Sequence, residues 1–393
     1  MKTLLVSFFG SSNLGDLLIS SGLKSEVEKY SEVVSVDYLG NNIVENMDIE
    51  DHTGYIQTPK KSSTRKMIKN VTKISPLNHF AMRAKRRMNL FSFPTFDQEL
   101  EQVKALIIGG GNMIFDLETD TISAKRFDYY VTKAKEKKLP VFAISLGIGP
   151  FQNKYQQKYA VEALSKCDYI TFRDNKSLEL FKEFNPTKKN VTVVPDPVFF
   201  MEKRENGIPN GKIGLNIINP ELFPEDLKAA EIKQGYVQLI DELLKTTEEE
   251  ILIFNTETKD YPFCQEVFDL LNNKERVQMT KVNNLEELYH VFNQVKLVVG
   301  TRMHSLITSF SQGIPIVGLS WQQKVDAMFE LIDDSESVFS LNNLSTNIQP
   351  IVAQASKKLA HPNENYQQVM ENLEEKAQIN EDFLQGIFNN TEN

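Results

Sequence analysis

Along nearly the whole chain, short runs of consecutive apolar residues alternate with longer stretches of helical periodicity. A strand buried on both faces reads as such a run, and the alternation is that of βαβ units built around a parallel sheet. In the first half the predicted strands are 3–9, 33–38, 106–108, 141–145, 169–172 and 191–194; in the second they are 212–218, 251–255, 277–279, 297–299 and 316–319. At 393 residues the chain is too long for one ordinary core, and a polar stretch with Gly and Pro at 202–211 separates the two sets. The expectation is an α/β protein of two Rossmann-like domains facing each other across a cleft. Residues 1–201 form the first, 202–211 the linker and 212–362 the second. A helical tail over 363–393 crosses back toward the first domain.

Composition narrows the class. Hydrophobic content of 41% and charged content of 25% are those of a soluble globular protein. The two cysteines, Cys167 and Cys264, sit in apolar helical patterns, so they form neither a disulfide framework nor a Cys-rich metal site, and a reducing cytoplasm is the expected compartment. The opening MKTLLVSFFG reads as a first strand and not as a signal peptide, and no run of eighteen apolar residues suits a membrane span. A net charge of −9 argues against a general nucleic-acid binder. The charge is unevenly placed, however: residues 52–96 hold ten cations and no acid. Apolar residues recur at helical spacing within 60–91, for example Phe80, Ala84, Met88 and Phe91. Two readings fit this insertion: a basic amphipathic segment lying on an anionic membrane surface, or a loop whose apolar stripe packs on its own domain.

Residues 297–325, LVVGTRMHSLITSFSQGIPIVGLSWQQKV, gather the most chemistry. A strand ends at Gly300, a helix is predicted over 305–311, and the corner Gly313-Ile314-Pro315 leads to a second strand. Arg302, His304 and Ser305 then stand at a helix N-terminus at the carboxyl edge of a sheet, where anions and ligands bind. The same topology brings Lys324 to that edge. Other loops are expected at strand ends. GSSNLGD (10–16) has Gly15 for an unusual backbone angle and Asp16 to cap the next helix; it is neither GxGxxG nor a Walker loop. Gly109-Gly110-Gly111-Asn112 and the small-residue loop 145–150 offer bare backbone to a ligand. Arg173 either pairs with the capping Asp174 or points into the cleft, and Asp196 precedes Pro197.

Taken together, Asn13, Gly15 and Asp16, the glycine triplet, Arg173-Asp174 with Ser177, Asp196-Pro197, and Arg302-x-His304 through Gly313-x-Pro315 to Lys324 resemble the polysaccharide pyruvyl transferases. The resemblance spans residues 1 to 325; the insertion 52–96 lies outside the family pattern. It implies a GT-B-like fold, phosphoenolpyruvate as co-substrate with no other cofactor, and transfer of pyruvate as a ketal onto two hydroxyls of a sugar in a cell-surface glycan or its lipid-linked precursor. Phosphoenolpyruvate carries a carboxylate and a phosphate, which suits Arg302, Lys324, Arg173, Ser305 and the helix N-terminus as donor ligands. Its methylene carbon must gain a proton, a task for a histidine, His304, with Asp16 or Asp196 as the base for the sugar hydroxyl. Asn13, Gly15, Gly110, Gly111 and Asn112 are then acceptor-binding or cleft residues. No metal is expected, since no His/Asp cluster has ligand spacing.

Two rivals fit the same architecture. A nucleotide-sugar glycosyltransferase also uses a His near a helix N-terminus, but the Glu-x7-Glu pair such enzymes often carry is absent after His304. A non-catalytic glycan-binding relative has no use for Arg302, His304 and Lys324 together.

Overall fold

The computed structural model describes residues 2–11, 13–38, 93–116, 122–201, 211–220, 228–362 and 365–389. Packing divides the chain into two compact units, Met1–Gly10 with Ser31–Thr192, and Ser11–Tyr30 with Val193–Asn393. The first unit holds strands β1 (Lys2–Ser7), β2 (Glu32–Asp37), β3 (Ala105–Asp116), β4 (Val141–Phe151), β5 (Tyr169–Phe172) and β6 (Val191–Val193) in the order β2-β1-β3-β4-β5-β6. Its registered pairs are parallel, with Leu4 opposite both Val34 and Leu106. Leu4, Val6, Leu106, Ile108, Val141 and Ala143 share one core with Phe127, Tyr130 and Val131 of the helix Ile122–Glu136. Burying a large apolar side chain of this kind is worth about 1.5–3 kcal/mol, which is why the strands read as continuous apolar runs.

The second unit repeats the plan with β7 (Lys212–Asn216), β8 (Glu250–Phe254), β9 (Val277–Thr280), β10 (Val295–Gly300), β11 (Ile316–Ser320) and β12 (Val338–Ser340), ordered β12-β11-β10-β7-β8-β9 and parallel throughout. Alternate strand residues, Ile213 and Leu215, Ile251 and Ile253, Leu297 and Val299, Val317 and Leu319, enter one core with Tyr236, Leu239, Ile240, Ile351 and Val352 of two covering helices. The fold class is therefore α/β with two Rossmann-like units. β12, a three-residue strand without a long apolar run, was not expected.

Three expectations change. First, β3 and β4 do not end before their glycines. They stay paired through Gly109↔Ile144, Gly111↔Leu146 and Asn112↔Gly147, with register shifts beyond. Positive φ at Gly110 (85°), Gly111 (100°) and Gly149 (78°) coils the extension without breaking it, so these residues line irregular strand and not open loops. Second, the helix Leu14–Glu28 belongs to the second unit, where it packs on the turn Pro197–Phe200 and the helices Leu285–Phe292 and Met303–Ser311. Residues 11–30 and 193–201 therefore leave the 1–201 domain drawn from sequence. Third, the tail helix Tyr366–Asn389 meets the amino-terminal segment through the ion pair Lys29–Glu381 at 3.4 Å, within that same second unit. Most of the linker and of the basic insertion, including the expected membrane-facing segment 60–91, lies outside the described residues.

Candidate active site

In the second sheet the strand order reverses between β7 and β10, which is where open α/β sheets bind ligands. Asn216 ends β7 opposite Gly300 of β10. The buried Asn216 grips the segment leaving β10: its carbonyl accepts from Thr301 N at 3.2 Å and Thr301 Oγ1 at 2.7 Å, and its Oδ1 accepts from Arg302 N at 3.1 Å. Tyr236, whose phenol burial pushes well above its ordinary pKa, adds a hydroxyl contact to Thr301 Oγ1 at 2.9 Å. Arg302 is thereby set as the N-cap residue of the helix Met303–Ser311, which has no side-chain cap hydrogen bond. Its positive end and first-turn N–H groups favour an anion.

The Arg302 side chain turns away from that task. Nε and Nη2 donate to Asp260 Oδ2 and Oδ1 at 2.8 Å each, and Nη2 also lies 2.9 Å from Glu257 Oε2. Asp260 is fully buried and also accepts from Asn219 N at 2.9 Å. Two carboxylates thus face one guanidinium, and the expected uncommitted cation is a rivet between β10 and the loop after β8. That loop, residues 255–260, was missed. Its signal was present: a polar run, Asn-Thr-Glu-Thr-Lys-Asp, directly follows a buried strand at the carboxyl edge.

His304, the second residue of the helix, has an imidazole hemmed on two sides. Its Nε2 lies 3.7 Å from Asp196 Oδ2, while the other oxygen of Asp196 accepts from Val198 N at 3.1 Å and caps the turn Pro197–Phe200. On the other edge is Gly15: a Cβ added there would stand 2.2 Å from His304 Nδ1 and 2.7 Å from Cγ. The loop carrying Gly15 is itself tied down. Leu14 N donates to Thr256 O at 3.2 Å, and Asn13 pairs with Glu257 through an antiparallel bridge. Asn13, not Asp16, caps the helix Leu14–Glu28, its Oδ1 accepting from Gly15 N at 3.0 Å. Asp16 instead accepts from Ser11 Oγ at 2.9 Å, which in turn accepts from Asn13 N at 3.1 Å, a capping box with a hydroxyl in the middle.

Two more expected residues share this edge. Ser305 is wholly buried and its Oγ makes no hydrogen bond among the described residues. Lys324 is the second residue of the helix Gln323–Leu331, with Nζ 5.5 Å from the ring centroid of Trp321, whose Nε1 donates to Thr301 O at 3.2 Å. Asn13, Gly15, Asp16, Asp196, Arg302, His304, Ser305 and Lys324 therefore all belong to the second unit. Gly110, Gly111, Asn112 and Arg173 belong to the first unit. There Arg173 follows β5, nearly buried, with Nε 3.0 Å from where a Cβ on Gly147 would stand and 3.9 Å from Asp174 Oδ2. Asp174 caps the helix Asn175–Lys182 through Ser177 N at 2.7 Å, and Asn112 Nδ2 donates to Gly149 O at 2.7 Å. Among the described residues no three His, Cys, Asp or Glu side chains gather as metal ligands, and no helix is long and apolar enough to cross a membrane.

A protein-family model described as polysaccharide pyruvyl transferase matches residues 13–323. The chain belongs to the polysaccharide pyruvyl transferase family. The matched span starts at Asn13 and takes in Gly15, Asp16, Asp196, Arg302 and His304, and ends one residue before Lys324. The amylovoran biosynthesis protein AmsJ of Erwinia amylovora is 24% identical over 319 residues, covering 74% of this chain and 75% of that protein. Solved structures add the fold. The UDP-GlcNAc 2-epimerase of Methanocaldococcus jannaschii superposes with a TM-score of 0.54 at 13% identity over 91% of each chain. Another UDP-N-acetylglucosamine 2-epimerase does so at 0.50 and 10% identity, over 94% of this chain and 90% of that one. At such identities the likeness shows this pyruvyl transferase family member to have a GT-B-like fold and nothing of its chemistry.

Proposed function

We propose that this chain moves pyruvate from phosphoenolpyruvate onto two hydroxyls of a sugar in a polysaccharide, or in its lipid-linked precursor, forming a ketal and releasing phosphate. The observation that carries this is His304, held beside Asp196 at a helix N-terminus that no side chain caps, inside the span matched by the family model. Anionic groups of phosphoenolpyruvate meet the first-turn N–H groups and Lys324. Arg173 is assigned to an anionic group of the substrates, and Asn112 with Gly110 and Gly111 to the acceptor. Arg302 acts through position, keeping the helix start and the 255–260 loop in register.

The protonated imidazole of His304 delivers its proton to the methylene carbon, which becomes the methyl group and leaves an oxocarbenium centre at the carbon bearing carboxylate and phosphate. One sugar hydroxyl adds to that carbon. Its proton returns to His304, whose ring lies 3.7 Å from the carboxylate of Asp196. The C–O bond to phosphate then breaks, the second hydroxyl closes the ketal, and its proton departs with the phosphate. The sum is a diol and phosphoenolpyruvate in, a ketal and phosphate out, with no oxidant or reductant. A lipid-linked acceptor also gives the basic segment 60–91 a matching surface, an anionic bilayer.

Thermal denaturation with added phosphoenolpyruvate tests the donor, because a ligand that binds only the folded state raises the melting temperature. The expected result is a rise with phosphoenolpyruvate that exceeds the rise with plain phosphate and shrinks in Lys324→Ala. A rise with UDP- or GDP-sugars and none with phosphoenolpyruvate would overturn the reading in favour of glycosyl transfer.

A further inference from the structure

We infer that Gly15 is a positioning residue for His304, a space in the amino-terminal helix shaped to receive the imidazole so that Nε2, beside Asp196, is the ring nitrogen that exchanges protons. The catalytic half of this inference rests on the function proposed above; the steric half does not.

Gly15 is not a glycine for the sake of its backbone angle. It lies inside the helix Leu14–Glu28, and its φ is not among the positive values of the chain. A helical glycine costs about 1 kcal/mol relative to alanine, so the position carries a conformational penalty with no conformational need. What the position needs is room. A Cβ would fall 2.2 Å from His304 Nδ1, 2.7 Å from Cγ and 2.8 Å from Cβ, distances that no real side chain tolerates. The imidazole occupies the volume that any other residue at 15 would fill.

The backbone that offers this space is fixed independently of the histidine. Asn13 Oδ1 holds Gly15 N, Thr256 O holds Leu14 N, and the Asn13 to Glu257 bridge joins both to the loop that clamps Arg302. His304 sits two residues after Arg302, so ring and recess are registered to each other through the same loop. With Nδ1 against the Gly15 position, the edge of the ring that faces Asp196 is Nε2, which lies 3.7 Å from Asp196 Oδ2, a contact longer than a hydrogen bond.

A double-mutant cycle on the full chain tests this. Gly15→Ala alone is expected to lower the melting temperature by roughly 2–6 °C, or to prevent folding, because the added methyl meets the ring. In a His304→Ala background the ring is gone, and the same Gly15→Ala change is expected to leave the melting temperature unchanged or to raise it, as alanine does in a helix. An equal loss in both backgrounds, or failure of both to fold, would overturn the steric inference. For the catalytic half, the imidazole 15N resonances of His304 are followed through a pH titration. Protonation observed at Nε2 in the parent and a displaced titration in folded Gly15→Ala supports positioning, and an unaltered titration overturns it. If phosphoenolpyruvate fails to raise the melting temperature of the parent protein, the proposed function falls while the double-mutant cycle still stands.

Discussion

Arg302 and Asp260 meet edge to edge, Nε to Oδ2 and Nη2 to Oδ1 at 2.8 Å each, with the carboxylate wholly buried. A bidentate pair of this kind is directional, and removing one partner leaves the other charge buried and uncompensated. Arg302→Ala is therefore expected to cost about 3–5 kcal/mol of folding stability, and Arg302→Lys to recover little of it because an ammonium cannot match the two oxygens at once. Denaturant unfolding measures this. A variant as stable as the parent would mean the pair is not what holds the two loops together, and would restore Arg302 to a ligand-binding role.

Asp196→Asn separates chemistry from structure. Asparagine keeps the oxygen that caps Val198 N, so the melting temperature should barely move, while the negative charge beside His304 is lost. Phosphate release from phosphoenolpyruvate in the presence of acceptor is expected to fall on the order of 10²-fold. Turnover equal to that of the parent would remove Asp196 from the mechanism.

The chain has a single tryptophan, Trp321, which carries the Lys324 ammonium over its ring and donates to the carbonyl next to Arg302. Drawing Lys324 toward phosphoenolpyruvate should change the emission of this ring saturably. Titration followed by intrinsic fluorescence should give a binding curve that disappears in Lys324→Ala. A flat response in the parent at concentrations that raise its melting temperature would show that Lys324 does not move to the ligand.

Glu26, on the amino-terminal helix near Lys29 and Glu381, has its carboxyl pushed up by burial from the ordinary 4.5 to about 7, with Lys29 opposing and Glu381 adding to the shift. Below about pH 4.5 the carboxyl is protonated whether the chain is folded or not. As pH rises from there to about 7, the unfolded chain loses the proton that the folded chain keeps, so stability declines across that window. Glu26→Gln should match the parent near pH 4 and exceed it at pH 8. Parallel stability profiles for the two proteins would refute the assignment.

Strand positions were legible because burial on both faces writes itself as an apolar run, as at β5 and β10, and the placing of Arg302 and His304 at a helix start followed from strand, glycine and helix in sequence order. What local pattern could not carry was partner choice. Arg302 is as compatible with a phosphate as with Asp260, forty-two residues away, and only the packing of β8 against β7 decides between them. Gly15 misled for a related reason: a glycine after a strand suggests a turn, and the ring that explains it arrives almost three hundred residues later. The glycines of β3 suggested a loop because positive φ and strand pairing coexist only where a neighbouring strand, β4, bends with them.

The helix Leu14–Glu28 is translated before residues 31–192 of the first unit, yet the surfaces it covers, from Pro197–Phe200 to the helices of the second unit, are translated only after residue 193. Its apolar side chains, Leu17, Leu18, Leu23 and Val27 among them, must wait through the synthesis of the whole first unit. Until then the recess for His304 has no occupant. The site closes only once residues 193–304 have followed that helix out of the ribosome.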